Sequence, residues 1–249
     1  MAKASGVLKI EGTVDDLNFY KQEGSFFVRK KGGVSKERIM NDPNFVRTRE
    51  NGVEFGHSAN SGKLLRSAVG SFVFKAKGSK LSSRLMQKMS VVKNLDTTSA
   101  RGSRNVATGI ATPEGKLALK GFDFNNKSEL NGVLFAPIAV TIGTGVIKIN
   151  NLVPVEQMQF PQGATHFSFQ GAFLKLDFST GVSDIKFSNV VNLPINLVAT
   201  TSTLTPTGVP AGTGVSFYLL LISFYQQING VQYSLKSEEF NVLNILEVV

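Results

Sequence analysis

The chain has 249 residues, of which 42% are hydrophobic and 18% charged, so its composition is that of a folded protein with one large core or two modest ones. It contains no Cys, which excludes disulfides, thiolate catalysis and Cys-ligated zinc, and its two His residues, His57 and His166, lack metal-site spacing. The net charge of +9 is uneven, because residues 1–130 hold 23 Lys or Arg against 12 Asp or Glu, whereas residues 131–249 hold 4 against 6.

The first thirty residues predict β-strands. The segment "GVLKIEG" (6–12) predicts a short strand that could complete a sheet of its own chain or of a neighbouring subunit. The segments "LNFYK" (17–21) and "SFFVRK" (25–30) predict a hairpin, because Gly24 between them suits a tight turn. A hairpin is therefore expected near the start of the fold.

A helix is predicted after this hairpin. Asn41 or Asp42 can cap it, and Pro43 suits its first turn, where a missing N–H costs nothing. Gly56, Ala59 and Gly62 would permit close packing against another backbone. Steps of three and four residues predict that one face of this helix is formed by Phe45, Val53, Gly56, Ala59 or Asn60, Leu64 and Ala68.

A second helix is predicted over residues 79–95, where Leu81, Leu85, Met89 and Val92 align on one side as a core-facing stripe. Residues 96–115 are rich in Ser, Thr, Gly and Ala without a clear period. They predict a loop or linker, with Arg101 and Arg104 exposed on it. The segment "KLALKGFDFN" (116–125) then predicts a strand leading into the second half.

From about residue 131 the pattern is that of short strands separated by turn residues, which is typical of a β-sandwich. Asn229-Gly230 joins two alternating runs and predicts a hairpin with a type I′ turn. Phe167 and Phe169 alternate in one phase, whereas Leu174, Leu176 and Phe178 alternate in the other. A bulge or turn near Gly171 would explain that change.

The predicted fold class is therefore α+β. An N-terminal β-hairpin with helices is followed by a C-terminal antiparallel β-sandwich, either immunoglobulin-like or jelly-roll-like. The expected domains are a basic hairpin-plus-helices region, residues 1–115, and a β-sandwich domain, residues 116–249.

No motif in the sequence predicts catalysis. The segment "GHSANSGKLL" (56–65) fails as a phosphate loop, because five residues separate its glycines and Leu64 stands where a magnesium-binding hydroxyl is needed. Neither His has an evident nucleophile partner. The adjacent carboxylates Asp15-Asp16 and Glu238-Glu239 are expected to lie in solvated loops and not to form an acid/base pair. We therefore expect a protein that is not an enzyme, with no cofactor, no metal and no small-molecule substrate.

The basic residues are the main functional signal. They are expected to contact a polyanion or a second subunit, since flexible glycines beside cations can follow a phosphate backbone. Phe19, Tyr20, Phe26 and Phe27 lie close by in sequence and could stack on bases, although aromatic residues in hairpins usually form core. The candidate contact residues are Arg29, Lys30, Lys31, Lys36, Arg38, Arg47, Arg49, Arg101 and Arg104.

Residues 5–70, together with "PQGATHFSF" and "LDF" in the second half, resemble an uncharacterised family of small basic two-part proteins from the Bacteroidota. No activity is attached to that family, so the resemblance lends no catalytic residues. It implies only that the two halves recur as one architecture.

Together these patterns favour a non-enzymatic structural or assembly protein that forms a homo-oligomer through its basic N-terminal half and its first strand. The alternative is a sequence-nonspecific nucleic-acid-binding protein that uses the same basic residues. A third hypothesis is a surface-binding module whose β domain recognises a sugar or a protein.

A cytoplasmic location is expected, because the N-terminus lacks the apolar run of a signal peptide and no segment reaches the ~20 apolar residues of a membrane span. Export without a classical signal stays open.

Overall fold

The computed structural model describes residues 2–3, 10–76, 78–235 and 237–249. The chain divides by compactness into two units, residues 1–49 and 50–249. The boundary expected between residues 115 and 116 lies inside the second unit. Most of the predicted first strand, residues 6–12, lies outside the described part of the chain.

The first unit contains a four-stranded antiparallel sheet. Its strands are β1 (Ala2–Lys3), β2 (Gly12–Val14), β3 (Leu17–Gln22) and β4 (Ser25–Lys30), arranged in the order β1-β4-β3-β2. The predicted hairpin between β3 and β4 is confirmed. Its turn residues, Glu23 and Gly24, both have positive φ, 50° and 80°, as a two-residue turn between twisted strands requires.

A short helical segment completes the first unit. Ser35 caps helix α1 (Lys36–Asn41), and Asp42 then caps a 3₁₀ turn (Pro43–Phe45) by accepting a hydrogen bond from the Asn44 N–H at 2.9 Å. The predicted capping role of Asp42 and the predicted place of Pro43 in the first turn are both confirmed.

The second unit has a helical layer on one face of its larger sheet. Helix α2 (Val46–Ala68) runs antiparallel to α4 (Leu81–Asn94), since Glu54 contacts Lys93 and Arg66 donates to the Ser82 hydroxyl. The predicted stripe of α4 is confirmed as core, because Leu85, Met89 and Val92 are fully buried. The helices of this layer are α2 (Val46–Ala68), α3 (Gly70–Ala76), α4 (Leu81–Asn94), α5 (Val106–Ile110) and α6 (Pro113–Leu119).

Two antiparallel sheets form the β-rich part of this unit, which confirms the predicted α+β class with a C-terminal sandwich-like region. The larger sheet has the order β11-β10-β7-β8, with β12 also paired to β10, and the smaller has the order β5-β6-β9. Short helices α7 (Leu130–Val133), α8 (Pro154–Gln157) and α9 (Ser237–Phe240) connect the strands. The strands are β5 (Ile138–Thr141), β6 (Val146–Leu152), β7 (His166–Leu176), β8 (Ser183–Pro194), β9 (Thr200–Leu204), β10 (Val215–Ile228), β11 (Val231–Ser234) and β12 (Val242–Val248).

The larger sheet is buried on both faces. Along β10, Leu219 and Leu221 pack into the core beneath the helices, whereas Leu220 and Ile222 pack into a second core against the smaller sheet. The predicted turn at the end of β10 is confirmed, since Asn229 and Gly230 both have positive φ. The second unit thus has three layers, with helices, the larger sheet and the smaller sheet stacked in that order.

The change of alternation phase along β7 has a different cause from the one expected. The pairing of β7 with β10 keeps one register throughout, so the strand does not turn over near Gly171. Phe167 and Phe169 face the smaller sheet, while Leu174 and Leu176 face the helices. A register shift is present only in the pairing with β8, which makes the bulge part of that neighbouring strand.

Two further predictions about local structure are wrong. The second half of the predicted loop 96–115 is helical, and the start of the predicted strand 116–125 belongs to α6. Thr112 caps α6 and Pro113 occupies its first position, a start signal that hydrophobic periodicity does not reveal. Gly109 lies so close to α4 that a Cβ there would overlap the carbonyl oxygen of Val92.

Candidate assembly and polyanion-binding surface

The first unit has no core of its own among the residues that the structure describes. Not one of residues 10–49 is buried, although this stretch contains several aromatic and aliphatic side chains. The second unit contrasts sharply, since it holds two clusters of fully buried apolar residues. A small sheet is generally stable only when an apolar face packs against something, and the described residues of the first unit show no such buried face.

One side of the N-terminal sheet, which we call the apolar face, presents five apolar residues with Lys21 and Lys30 beside them. The apolar residues are Val14, Leu17, Phe19, Phe26 and Val28. The register defines this set, because Phe19 pairs with Val28 and Leu17 pairs with both Val14 and Lys30. Directly paired residues project to the same side of a sheet. Phe19, Phe26 and Val28 are half-buried and the other two are exposed.

The opposite side, which we call the aromatic–basic face, consists of Tyr20, Phe27 and Arg29. The rings of Tyr20 and Phe27 are stacked, with centroids 5.8 Å apart and an interplanar angle of 25°. The Arg29 guanidinium lies 5.3 Å from the centre of the Tyr20 ring, in the position of a cation–π contact. This face therefore combines flat aromatic surface with a cation held beside it.

Opposite charges meet at one end of this sheet. Lys30 and Lys31 are exposed at the end of β4, and neither forms an ion pair with a described residue. Asp15 and Asp16 are exposed in the neighbouring turn between β2 and β3, where the Asp16 carbonyl accepts a hydrogen bond from the Lys31 N–H. The three predicted contact residues, Arg29, Lys30 and Lys31, are thus all accessible at this end of the sheet, but Arg29 and Lys30 project to opposite faces.

Arg38 and Arg49 have structural partners in the helical segment. Arg38 forms an ion pair with Asp42 at 3.1 Å, and Arg49 donates to the carbonyls of Ile39 and Asp42 at 2.6 and 3.0 Å. A hydrogen bond from the Asn44 N–H, followed by the one from Arg38, lowers the pKa of the Asp42 carboxyl. Arg49 satisfies carbonyls at the end of α1, as cations near a helix C-terminus do. Lys36 and Arg47 are exposed in the same segment.

Arg101 and Arg104, in the second unit, hold a loop to helix α2. Arg101 lies 3.5 Å from a carboxylate oxygen of Glu50, and Arg104 lies 3.9 Å from one of Glu54. Glu54 is buried, pairs with the ammonium of Lys93, and accepts a hydrogen bond from the Gly102 N–H at 2.7 Å. The pairing with Lys93 and that N–H hold the pKa of Glu54 below its ordinary value.

A second buried carboxylate anchors the same loop. Burial alone would raise the pKa of Asp96, but hydrogen bonds from Ser99, Asn105 and Thr98 outweigh it and lower the pKa. Nearby, the His57 Nε2 accepts a hydrogen bond from the Val106 N–H at 3.1 Å, and burial lowers the pKa of its imidazole. Each of these polar groups is satisfied within the chain, so the network stabilises the fold.

The three residues of α2 that were predicted to allow close packing differ in their burial. Gly62 is buried against α4, where an added Cβ would lie 3.4 Å from that of Leu85. Gly56 and Ala59 are exposed, and no heavy atom lies within 4 Å of a Cβ at Gly56. The helical face predicted from periodicity is buried only in part, because Leu64 and Ala68 pack against the core but Val53 is 63% exposed. The buried side consists of Glu54, Ser58, Ser61, Gly62 and Leu65.

A cleft of about 520 Å³ lies beside α4 in the second unit. Arg84 lines it and donates to the carbonyls of Asp123 and Phe124. The Asp123 carboxylate accepts hydrogen bonds from the Leu130 N–H and from Asn244, while burial raises its pKa. Arg84 and Asp123 of this cleft thus bind backbone groups and the Asn244 side chain. Among the described residues, no three His, Asp or Glu side chains are grouped so as to hold a metal ion.

No helix in the described part of the chain is long and apolar enough to cross a membrane. Comparison of the chain with models of known protein families, with curated proteins and with solved structures found no match in any of the three. The resemblance of residues 5–70 to a family from the Bacteroidota therefore stays an expectation from sequence.

Proposed function

We propose that this chain is a non-enzymatic assembly protein and that its N-terminal unit binds a second copy of the same chain. The observation that supports this most strongly is the lack of any buried residue in the range 10–49 beside the complete cores of the second unit. Burial of the apolar face against another subunit would supply the core that the first unit lacks.

A second copy fits this face because the charges around it are self-complementary. A two-fold axis parallel to β3 would lay β2 of one copy over β4 of the other while keeping the same ends of the sheets together. Asp15 and Asp16 of one copy would then approach Lys30 and Lys31 of the other. A two-fold interface repeats each such contact twice, so this arrangement neutralises both pairs at once.

Sedimentation velocity of the full-length protein, with Phe19→Ser as the variant, tests this proposal. The serine removes the aromatic ring at the centre of the apolar face, so the native oligomer should dissociate. Phe74→Ser is the matched control, since Phe74 is 81% exposed on α3 in the second unit and its loss should leave the oligomer intact. Phe27→Ser controls for general damage to the hairpin, because it makes the same change on the opposite face.

Dissociation caused by Phe19→Ser alone would support the proposal. A wild-type protein that sediments as a monomer at tens of micromolar, in low and high salt alike, would refute it. Equal dissociation of the Phe19 and Phe27 variants would also count against it, because this would show that assembly depends on the hairpin as a whole and not on the apolar face.

A further inference from the structure

The aromatic–basic face of the N-terminal sheet carries a second, independent signal. Its paired rings, Tyr20 and Phe27, are half-buried, so part of their surface is open, and the Arg29 guanidinium lies next to them. The register places four side chains with hydrogen-bonding groups on the same side: Thr13, Asn18, Gln22 and Ser25. This side of the sheet therefore offers ring surface, hydrogen-bonding groups and positive charge within one small area.

We infer that the aromatic–basic face binds single-stranded nucleic acid. Bases stack on aromatic side chains whatever their sequence, because every base has a π-face. Arg29, with Lys31 just beyond the end of β4, supplies positive charge for the phosphates that join those bases, whereas Lys30 projects to the opposite face. A sheet surface with two rings on neighbouring strands is suited to seat two successive bases.

The observations favour a single strand over the other polyanions that a basic surface can attract. A duplex keeps its bases stacked inside and would use only the cations, so the ring pair would have no role in binding it. An acidic peptide likewise needs the cations and not the stacked rings. Asp15 and Asp16 lie at the Lys31 end of the sheet and would repel phosphates there, so the contact is expected to centre on Arg29 and the rings.

This inference does not depend on assembly, because it uses the opposite face of the sheet. Fluorescence anisotropy of the full-length protein, with labelled oligothymidylate and oligouridylate of about 16 nucleotides at ~50 mM salt, tests it. Both probes should bind, since stacking tolerates either sugar. With Arg29 engaged, and at most Lys31 in addition, the logarithm of the affinity should fall with the logarithm of salt with a slope between about −0.7 and −1.4.

Paired variants assign the binding to one face. Phe27→Ser should weaken binding by about tenfold or more, because one stacking surface is lost. Phe19→Ser, on the apolar face, should leave the affinity per chain unchanged. Arg29→Ala should weaken binding to all sequences alike and reduce the salt slope, whereas Arg38→Ala, which removes another exposed arginine lying near a ring, should do neither.

Absence of binding at low salt would overturn the inference. So would a duplex that binds as tightly as the single strand, or a Phe27→Ser variant that binds like the wild type. If Phe27→Ser changes the circular dichroism of the hairpin, the comparison of Arg29→Ala with Arg38→Ala decides, since neither removes a ring. Equal affinities of those two variants would then be the contradicting result.

Discussion

Glu54 and Lys93, 39 residues apart in the sequence, form a buried ion pair that joins the antiparallel helices α2 and α4. The carboxylate of Glu54 also accepts a hydrogen bond from the Gly102 N–H and lies near Arg104. One acidic side chain thus fixes two helices and the loop that follows the second of them. Two residues that sequence patterns indicate as polyanion contacts, Arg101 and Arg104, belong to this arrangement.

Removal of one partner of this pair should be costly. Glu54→Gln leaves the Lys93 ammonium buried without its counter-charge, so the free energy of unfolding should fall by roughly 3–5 kcal/mol, whereas loss of an exposed pair costs about 1 kcal/mol or less. The matched control is Glu247→Gln, which breaks the exposed pair of Glu247 with Lys120 in the same unit. Urea unfolding followed by circular dichroism measures both. Equal losses of unfolding free energy in the two variants would contradict this expectation, because breaking the Glu54–Lys93 pair would then cost no more than breaking an exposed pair.

The pH dependence of stability should reveal the buried carboxylates. The pKa values of Glu54 and Asp96 are lower in the folded state than their ordinary values of 4.5 and 3.8. The unfolded chain therefore binds more protons in acid, so these groups stabilise the fold above their ordinary pKa range and lose that contribution as the pH falls below it.

The variant Asp96→Asn tests this assignment. It should lower stability at neutral pH and flatten the loss of stability on acidification, measured by urea unfolding at a series of pH values. Asp177→Asn is the control for an exposed carboxyl, because hydrogen bonds from Ser179 also lower the pKa of Asp177 but do so in an exposed turn, so its loss should change the acid dependence less. If the free energy of unfolding falls equally steeply with decreasing pH in the Asp96 variant and the wild type, the assignment is contradicted.

Close backbone contact between α5 and α4 gives a third prediction. A Cβ at Gly109 would overlap the carbonyl oxygen of Val92, whereas no atom lies within 4 Å of a Cβ at Gly132 in α7. Gly109→Ala should therefore destabilise by at least 1–3 kcal/mol, the usual cost of overpacking, while Gly132→Ala should be neutral or stabilise by up to about 1 kcal/mol. Thermal unfolding distinguishes the two. A harmless Gly109→Ala would mean that α5 lies farther from α4.

Hydrophobic periodicity was sufficient to predict the long elements. The α4 stripe from Leu81 to Val92 and the β10–β11 hairpin at Asn229-Gly230 each repeat a pattern over enough residues to be unambiguous. Helices α5 and α6 have five and seven residues, too few to show a period, and only the Thr112-Pro113 start signal marks one of them. The phase change in β7 wrongly suggests a bulge in that strand. Because β7 is buried on both faces, its apolar side chains occupy both odd and even positions without any change of direction.

The site was predictable only in part. The cluster from Arg29 to Lys31 and the neighbouring aromatic residues stand out in the sequence, and their division between two faces follows from simple alternation once the hairpin register is known. The roles of Arg101 and Arg104 depend on Glu50 and Glu54, about fifty residues away, and no local pattern links them. Hydrophobic periodicity does not reveal the buried side of α2, because it counts only apolar residues and this side contains the buried anion Glu54.

The most direct test of assembly through the apolar face is a charge-reversal exchange. One variant carries Asp15→Lys and Asp16→Lys, and the other carries Lys30→Glu and Lys31→Glu. Each alone should place like charges together twice in a two-fold dimer and dissociate it, but in an equimolar mixture the heterodimer should have opposite charges at both sets of contacts. Sedimentation velocity of the two variants, alone and mixed, therefore decides the question. The account predicts smaller species for each variant alone and recovery of the wild-type mass in the mixture, and a mixture that sediments as the sum of its separate components would contradict it.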